Sequence, residues 1–465
     1  MSFPSELNLG SNKPMSASGK PSINRYRSDN STYTGGDVIR VEIPCGRKGQ
    51  YLFPKDSFLE FKIRINATNG GTANSSIYLD QSIYSIVNRM RIFHGSNVVE
   101  DTLYCNKLWT AIFDLQINEV KRRGESITKL VWDNTTTVAG ALATPSIFNS
   151  GLFGIPFARI AGNVAATEYP LVGAVVTPFD ACFCIPSALL GSLASKAVPL
   201  GLMGASSIYL ELELAPALMA FIGDGTATIN SYTVSDIFYN AKIATLPNDI
   251  DDLLIQSTGG IVNLPAISYK TEAKTISAAS SAFNDKFSFQ YSSLKNFIFF
   301  VQNSATANGV LANRSVSSRP RANILDYYLT INGEAFPSQT IQGTSRMYSE
   351  LLRAFDGLSD TGFGGVINYS NYTQNQHTAA GDALTVGAVG DGGTTTVQKR
   401  FLAGIDLDRF NHSSDTLLSG SSSIGQMVNL NLNFSAPTTD VLVLYAAVQY
   451  DVLFHIQDGL LMAKI

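Results

Sequence analysis

The side chains able to do chemistry are few and widely spaced along the chain. The four histidines are His94, His377, His412 and His455. None has a second His or Cys at a spacing typical of a metal site, so each is predicted to lie in a turn or on the surface. Cys182 and Cys184 would place two thiols on one face of a strand, but a tetrahedral metal site needs two further ligands and no second pair occurs.

Acidic residues cluster at two places. The first cluster is Asp249, Asp251 and Asp252, and the second is the pair Asp406 and Asp408. A glycosidase needs two carboxylates at a set distance across a cleft, so a carbohydrate-cleaving or carbohydrate-binding protein stays an alternative. We favour solvated acidic faces for both clusters. Sugar binding is also disfavoured, because the chain has only two tryptophans for sugar stacking, Trp109 and Trp132, and Trp109 falls on the apolar face of a helix pattern.

Other catalytic and nucleotide-binding patterns are missing from the sequence. No nucleophile elbow, phosphate-binding loop or dinucleotide fingerprint stands between a strand and a helix. Arg319 and Arg321 precede Tyr327 and Tyr328, but strand alternation points the two tyrosines to opposite faces, so at least one is predicted to be in the core. We therefore predict no catalytic, cofactor-binding or metal-binding residues, no cofactor, and no sequence-specific nucleic-acid binding.

The composition favours strands and turns. Of 465 residues, 45% are apolar and only 15% are charged, with 38 Gly, 26 Phe and 19 Tyr. The net charge of −4 excludes a globally basic nucleic-acid binder. Four cysteines imply no disulfide framework, the start of the chain lacks a secretory signal pattern, and the most apolar window, residues 441–448, is too short to span a membrane.

Period-two alternation predicts strands along most of the chain. The predicted strands are residues 38–43, 58–65, 207–214, 297–301, 324–331, 428–434 and 441–454. In residues 207–214 the inward side chains should be Ile208, Leu210, Leu212 and Leu214. Helical patterns are short and occur at residues 106–115 and 348–355.

The two halves of the chain repeat one order of elements. A strand, a glycine turn and a short apolar return occur around Gly95 and again around Gly333, an offset of 238 residues. Phe61 and Phe299 lie in matching upstream strands at the same offset. A helix pattern follows each turn, and an alternating strand follows later. A tandem duplication of one all-β module accounts for this order.

We therefore predict an all-β protein of two tandem eight-stranded jelly-roll β-sandwiches, with a few short helices and long loops. The predicted parts are an N-terminal arm (residues 1–36), a first jelly roll (37–248), a linker (249–264) and a second jelly roll (265–465). The long loops should cover about residues 114–178 and 356–397, whose Gly and Thr content cannot build a separate core.

At this level the chain resembles the double jelly-roll major capsid proteins of large eukaryotic DNA viruses, virophages and Polinton-like viruses. The resemblance rests on the joint order of several short patterns in the two halves. They are residues 83–100 (IYSIVNRMRIFHGSNVVE), 183–200, 207–214 (SIYLELEL), 328–337 (YLTINGEAFP), 404–410 (GIDLDRF), 418–420 before the strand at 427–434, and 449–451. None of these patterns is a catalytic signature.

The resemblance implies a structural, non-enzymatic protein of the virion. Three chains would form a pseudo-hexagonal capsomer that tiles an icosahedral shell, after assembly inside the host cell. The expected partners are further copies of the chain, minor capsid proteins and an internal membrane. A minor capsid or vertex protein is an alternative, although a five-fold site needs only one sandwich per chain. Deletion of residues 1–36 is expected to leave a folded trimer that assembles poorly.

Overall fold

The computed structural model describes residues 19–71, 75–80, 82–116, 158–160, 163–169, 171–172, 175–176, 179–223, 227–247, 249–309, 318–358, 367–378, 399–408 and 419–464. Within them, no helix is long and apolar enough to cross a membrane. Most of the two predicted long-loop regions, and His412 and Trp132, lie outside the described residues.

Seventeen strands belong to the first half of the chain. They are β1 (Lys20–Arg27), β2 (Thr32–Thr34), β3 (Val38–Ile43), β4 (Gln50–Leu52), β5 (Phe58–Asn69), β6 (Ser75–Leu79), β7 (Val87–His94), β8 (Asn97–Leu103), β9 (Ala158–Ile160), β10 (Val164–Tyr169), β11 (Leu171–Val172), β12 (Val175–Val176), β13 (Phe179–Phe183), β14 (Val198–Pro199), β15 (Ile208–Leu214), β16 (Phe221–Gly223) and β17 (Ala227–Thr245).

Nine strands follow in the second half, and the described helices are short. The strands are β18 (Val262–Ile276), β19 (Ala282–Phe287), β20 (Leu294–Asn303), β21 (Ile324–Ile331), β22 (Glu334–Gln342), β23 (Ala403–Asp406), β24 (Val428–Phe434), β25 (Leu442–Gln457) and β26 (Leu460–Lys464). The α-helices are α1 (Cys105–Gln116), α2 (Ala217–Ala220), α3 (Asp249–Thr258), α4 (Ser304–Ala307), α5 (Thr344–Ala354) and α6 (Tyr369–Tyr372). Three 3₁₀ turns cover Pro54–Asp56, Ile83–Ile86 and Leu200–Leu202.

Each half forms a sandwich, and the two sandwiches share one strand order. The smaller sheets run β3-β15-β7-β8 and β19-β24-β21-β22. In the larger sheets, β1-β17-β5-β13 corresponds to β18-β25-β20-β23, with β4, β14, β2 and β10 added in the first half and β26 in the second. The predicted all-β fold of two tandem jelly rolls is confirmed.

At the turns, the offset between the two halves is one residue shorter in the structure than the sequence comparison predicted. His94 pairs with Ile208 in the first sandwich and Ile331 pairs with Val428 in the second, so the offset is 331 − 94 = 237. Gly95 therefore corresponds to Asn332, and not to Gly333 as the sequence alignment predicted. Both Gly95 (φ 58°) and Asn332 (φ 54°) adopt a left-handed conformation, which glycine and asparagine tolerate better than other residues.

Alternation along each strand places the core as predicted. Ile208, Leu210, Leu212 and Leu214 are all buried, because every second side chain of β15 faces the opposite sheet. Tyr327 is fully buried while Tyr328 is half-buried, as alternation required. Both predicted main helices are present as α1 and α5, and Trp109 of α1 packs edge-on against Tyr84 with ring centroids 5.7 Å apart.

Part of the predicted arm and linker is ordered in the fold. Strand β1 pairs with β17 along all of its eight residues, and Tyr33 of β2 is buried, so residues 20–34 are not outside the first sandwich. Helix α3 occupies most of the predicted linker, and β18 begins before its end. The domain boundaries themselves stay a prediction.

Candidate functional site: the interface between the two sandwiches

The first sandwich meets the second through β8 and α1, which face β18 and β25. Strands β8 and β18 do not form a ladder but exchange bonds from side chain to backbone. Thr102 Oγ1 donates to Tyr269 O (3.2 Å), and Thr271 Oγ1 donates to Leu103 O (2.5 Å). These contacts fix the lateral position of one sandwich against the other, because a hydroxyl reaches one carbonyl only at one register.

A buried carboxylate, Glu100, lies at the centre of this contact. Its oxygens accept from Ser187 Oγ (2.7 Å) and Ala188 N (3.1 Å) in the first sandwich and from Ser268 Oγ (3.0 Å) in the second. Burial raises the pKa of Glu100 above its usual range, while these donors act in the opposite direction. Glu100 thus joins strand β18 to the loop after β13 in a single hydrogen-bonded cluster.

An ion pair continues the contact at its half-buried edge. Arg89 binds Asp101 with two parallel hydrogen bonds of 2.8 and 2.9 Å, and Lys270 Nζ from the second sandwich lies 3.7 Å from the same carboxylate. Burial alone would raise the pKa of Asp101, but the bonds from Arg89 and the charge of Lys270 lower it overall. A bidentate Arg pair adds directional specificity as well as energy.

Helix α1 carries a fully buried lysine into the second sandwich. Lys107 Nζ donates to Ala307 O (2.6 Å) and to the hydroxyl of Tyr445, and it lies 4.2 Å from the centre of the Tyr445 ring. Burial lowers the pKa of Lys107 to about 7, with a small opposing effect from Asp80. Near neutral pH this amine is therefore in part uncharged.

Two turns further along α1, a buried carboxylate binds two guanidinium groups of the second sandwich. Asp114 Oδ2 accepts from Arg319 Nη2 (2.7 Å) and Asp114 Oδ1 accepts from Arg400 Nη1 (2.9 Å). All three side chains are at most 2% exposed. Such a triad is directional, and loss of one member leaves buried charge behind.

Contacts at the opposite end of the interface involve the last strand and the connecting helix. Leu461 N donates to His94 Nδ1 (3.2 Å), so His94 Nε2 carries the proton and donates to Met203 O (3.1 Å). Asp251 of α3 accepts from Gly49 N (2.6 Å) and from the Tyr51 hydroxyl (2.7 Å). The two sandwiches are therefore joined at both ends and in the middle of their contact.

The structure corrects the placement of two histidines. His94 and His377 were predicted in turns or on the surface, but they are 1% and 4% exposed. His377 donates from Nδ1 to Asn375 O and accepts at Nε2 from Thr439 N, both at 2.9 Å. His94 ends strand β7 and His377 lies in a loop, so it is the predicted surface position that is wrong, and each buried ring hydrogen-bonds to backbone groups. His455 is half-buried on β25.

The other sequence candidates also lie in structural contacts. Asp406 binds Arg353 (3.1 Å), and Lys295 lies 3.9 Å from Asp408 and 3.5 Å from Asp451. Cys182 and Cys184 are half-buried, and the Cys184 thiol lies 3.7 Å from Pro54 O. Across the described ranges, no three His, Cys, Asp or Glu side chains are grouped so that they could hold a metal ion.

Sequence reasoning did not find the buried residues of α1. One sign of them was available, because Lys107 and Asp114 are the charged residues of an otherwise uncharged helix and lie seven positions apart. That spacing puts both on one face, beside apolar side chains. Their partners could not be found, since Ala307 and Arg319 lie 200 and 205 positions away in the chain.

Comparison with known structures finds a similar arrangement of two sandwiches in several solved structures. A chain of the Sputnik virophage structure is 14% identical, with a TM-score of 0.56, and the match covers 100% of this chain and 92% of that one. The Faustovirus major capsid protein is 7% identical, with a TM-score of 0.55 and coverages of 97% and 93%. The mavirus major capsid protein is 9% identical, with a TM-score of 0.52 and coverages of 100% and 95%.

No protein-family model and no curated protein matches the chain. The structural likeness nonetheless extends over both sandwiches and over nearly the full length of each neighbour. The chain therefore has the double jelly-roll fold that the Faustovirus and mavirus major capsid proteins also have.

Proposed function

We propose that the chain is a major capsid subunit, a structural and non-enzymatic protein of a virion. The observation that carries this proposal is the full-length match of both sandwiches to two proteins that are major capsid proteins by name. A match to one sandwich alone would suit many unrelated β-sandwich proteins, because a fold hosts many functions.

The proposed assembly is a homotrimer with a pseudo-hexagonal outline that tiles an icosahedral shell. Two similar sandwiches per chain give six in a trimer, so that three chains fill a site with six neighbours. The buried contacts of Glu100, Lys107 and Asp114 support this role, since a shell subunit must hold its two sandwiches at one fixed angle. Minor capsid proteins and an internal membrane stay as proposed partners.

The carbohydrate alternative has little support in the described residues. Trp109 is 3% exposed and packs in the core, and Asp406 and Asp408 both lie beside cations, where a cleft would need free carboxylates. No observation in the described part of the chain favours a cleaving function over a structural one.

The proposal is tested by measuring the mass of the purified protein by light scattering and then its outline by negative-stain imaging. We expect a particle of three times 50.0 kDa with a hexagonal outline, or closed shells. A stable monomer, or a particle with two-fold symmetry, would contradict the proposal.

A further inference from the structure

Each sandwich has two lateral edges, and the described part of the chain covers only one edge of each. The last strand of the smaller sheet forms one edge, and the first strand of the larger sheet forms the other. Inside the chain, β8 of the first sandwich packs on β18 of the second. The two remaining edges are β1, which corresponds to β18, and β22, which corresponds to β8.

The two strands in contact inside the chain, β8 and β18, are more buried than the two remaining edge strands, β1 and β22. Strand β8 includes three buried residues, and β18 has buried residues along most of its length. Strand β1 has no buried residue, and β22 has one, Ile341. Ile23, an apolar side chain at the middle of β1, is 64% exposed. Exposed edge strands are unusual in a finished assembly, because they offer unpaired backbone groups and apolar surface.

We infer that β1 of one copy packs against β22 of a second copy, as β18 packs against β8 within the chain. This inference rests on the proposed capsid function and names the surface through which the trimer forms. The occupant of each open edge is thus the other open edge of an identical chain.

The two edges are complementary in charge and in polar groups. Strand β1 carries Lys20, Arg25 and Arg27 and no acidic residue, with Arg25 paired to Glu60 of β5 (3.3 Å). Strand β22 carries Glu334 and no basic residue. The exposed Ser338, Gln339 and Thr340 of β22 supply side-chain donors of the kind that Thr102 supplies from β8. Opposite charge on two edges also steers them together and disfavours pairing of like edges.

The contact cannot be an exact copy of the internal one, because β22 is longer. Partners of Leu329 and Tyr327 on β22 are Phe336 and Ile341, five positions apart, whereas the corresponding partners on β8, Glu100 and Thr102, are two apart. Half-buried Phe336 therefore occupies the position of Glu100. The contact between copies should be more apolar there than the contact within the chain.

Pairing of two different edges is heterologous, so it continues from copy to copy until a ring closes. Contacts of β8 with β18 would alternate around the ring with contacts of β22 with β1. Because the two contacts use corresponding strands, each should turn the chain by a similar angle. Three chains then close a ring of six sandwiches.

Two variants with opposite defects test the inference. Ile23→Glu would bury a carboxylate at the β1 edge, and Thr340→Arg would bury a cation opposite the basic strand β1. We expect each purified variant to have a mass of 50.0 kDa, against three times that for the unmodified chain. Ile424→Glu is the matched control, since Ile424 is 60% exposed but lies on neither edge, and it should stay trimeric.

A mixing experiment then separates this pairing from every other one. The Ile23→Glu chain keeps an intact β22, and the Thr340→Arg chain keeps an intact β1. An equimolar mixture can therefore form one contact and no ring, so at high protein concentration we expect a species of two chains and nothing larger. An interface of like edges, or one elsewhere on the chain, would leave the mixture monomeric or trimeric.

The outcomes distinguish this inference from the proposed function. An unmodified chain that stays monomeric contradicts the proposed function itself. A trimeric unmodified chain whose two variants are also trimeric contradicts the edge assignment alone. If circular dichroism shows that a charged variant does not fold, the milder variants Ile23→Ser and Thr340→Gly are used instead. If the trimers of these milder variants resist dilution as well as the unmodified trimer does, the inference is overturned.

Discussion

The corresponding edge strands of the two sandwiches, β8 and β22, differ in their burial. The first sandwich places β8 inside the molecule, under β18, while the second leaves the corresponding β22 exposed. The same strand order thus buries an edge strand inside the chain at one position and leaves the corresponding strand exposed at the other. The difference arises from the neighbour and not from the topology, since both smaller sheets have four strands in one order.

The residues on these edges have diverged accordingly. Glu100, Lys107 and Asp114 are buried charged residues of β8 and α1. Their counterparts in the second sandwich are different, with Phe336 at the position of Glu100 and a helix α5 whose Arg353 is 48% exposed on its side chain. Buried polar clusters fix one arrangement inside the chain, and an apolar and weakly charged edge suits association that can be reversed during assembly.

Removal of β1 should have the largest effect on the stability of the first sandwich. Deletion of residues 1–36 takes away the eight residues that pair with β17 and the buried Tyr33. We expect loss of cooperative unfolding for the first sandwich, measured by denaturant titration, and not the folded trimer predicted from sequence. Deletion of residues 1–18 leaves β1 and β2 in place and is the control. A deletion of 1–36 that unfolds like the full chain would contradict this.

The next largest effect should come from the carboxylate that joins the sandwiches. Asp114→Ala removes the acceptor that Arg319 and Arg400 share, and we expect about 3–5 kcal/mol less unfolding free energy, because buried charge stays behind. Asp326→Ala, at a half-buried carboxylate of β21 that accepts one hydrogen bond from Asn433 (2.7 Å), is the control within the second sandwich. Equal small losses for both variants would show that the triad does not hold the interface.

The buried Lys107 should make the unfolding free energy depend on pH. The pKa of Lys107 is lowered to about 7 in the folded chain, so the unfolded chain binds more protons above that pH. Stability should therefore rise with pH, and the unfolding free energy should gain about 2 kcal/mol from this group between pH 7 and pH 9. Lys107→Met should remove that gain. Urea titrations of both proteins at the two pH values measure it, and an unchanged pH dependence would contradict the assignment.

The smallest effect is expected at the fourth strand of each larger sheet, β13 in the first sandwich and β23 in the second. Asp180 of β13 and Asp406 of β23 occupy this strand in the two sandwiches, and Asp406 pairs with the half-exposed Arg353. Asp180→Asn and Asp406→Asn should each change the unfolding free energy by about 0–1 kcal/mol. A glycan-binding screen should give the same result for both variants and the unmodified chain. Loss of a glycan signal in Asp406→Asn alone would revive the carbohydrate alternative.

Alternation and helix periodicity predicted much of the fold. Strands β3, β21 and β24 begin and end at the predicted residues, and α1 extends the predicted helix by one residue at each end. These elements have one polar and one apolar face, so the pattern carries the information. Strand β1 was missed because both of its faces are largely exposed, which leaves no apolar alternation to detect.

The interface could not be predicted in the same way. The partners of Asp114 and Lys107 depend on how two sandwiches pack, and that packing joins residues about 200 positions apart. Helix α3 was missed because its three aspartates and following glycines resemble a solvated linker, although one of those aspartates, Asp251, is buried against Tyr51. A single sequence shows local pattern and not the partners that tertiary packing supplies.

The mass of the unmodified protein across a dilution series tests the central claim most directly. Sedimentation or light scattering should give three times 50.0 kDa at high concentration and 50.0 kDa at high dilution, with little of the two-chain species, because an open dimer makes one contact between copies and a closed trimer makes three. A chain that stays at 50.0 kDa at every concentration would contradict both the capsid function and the pairing of β1 with β22.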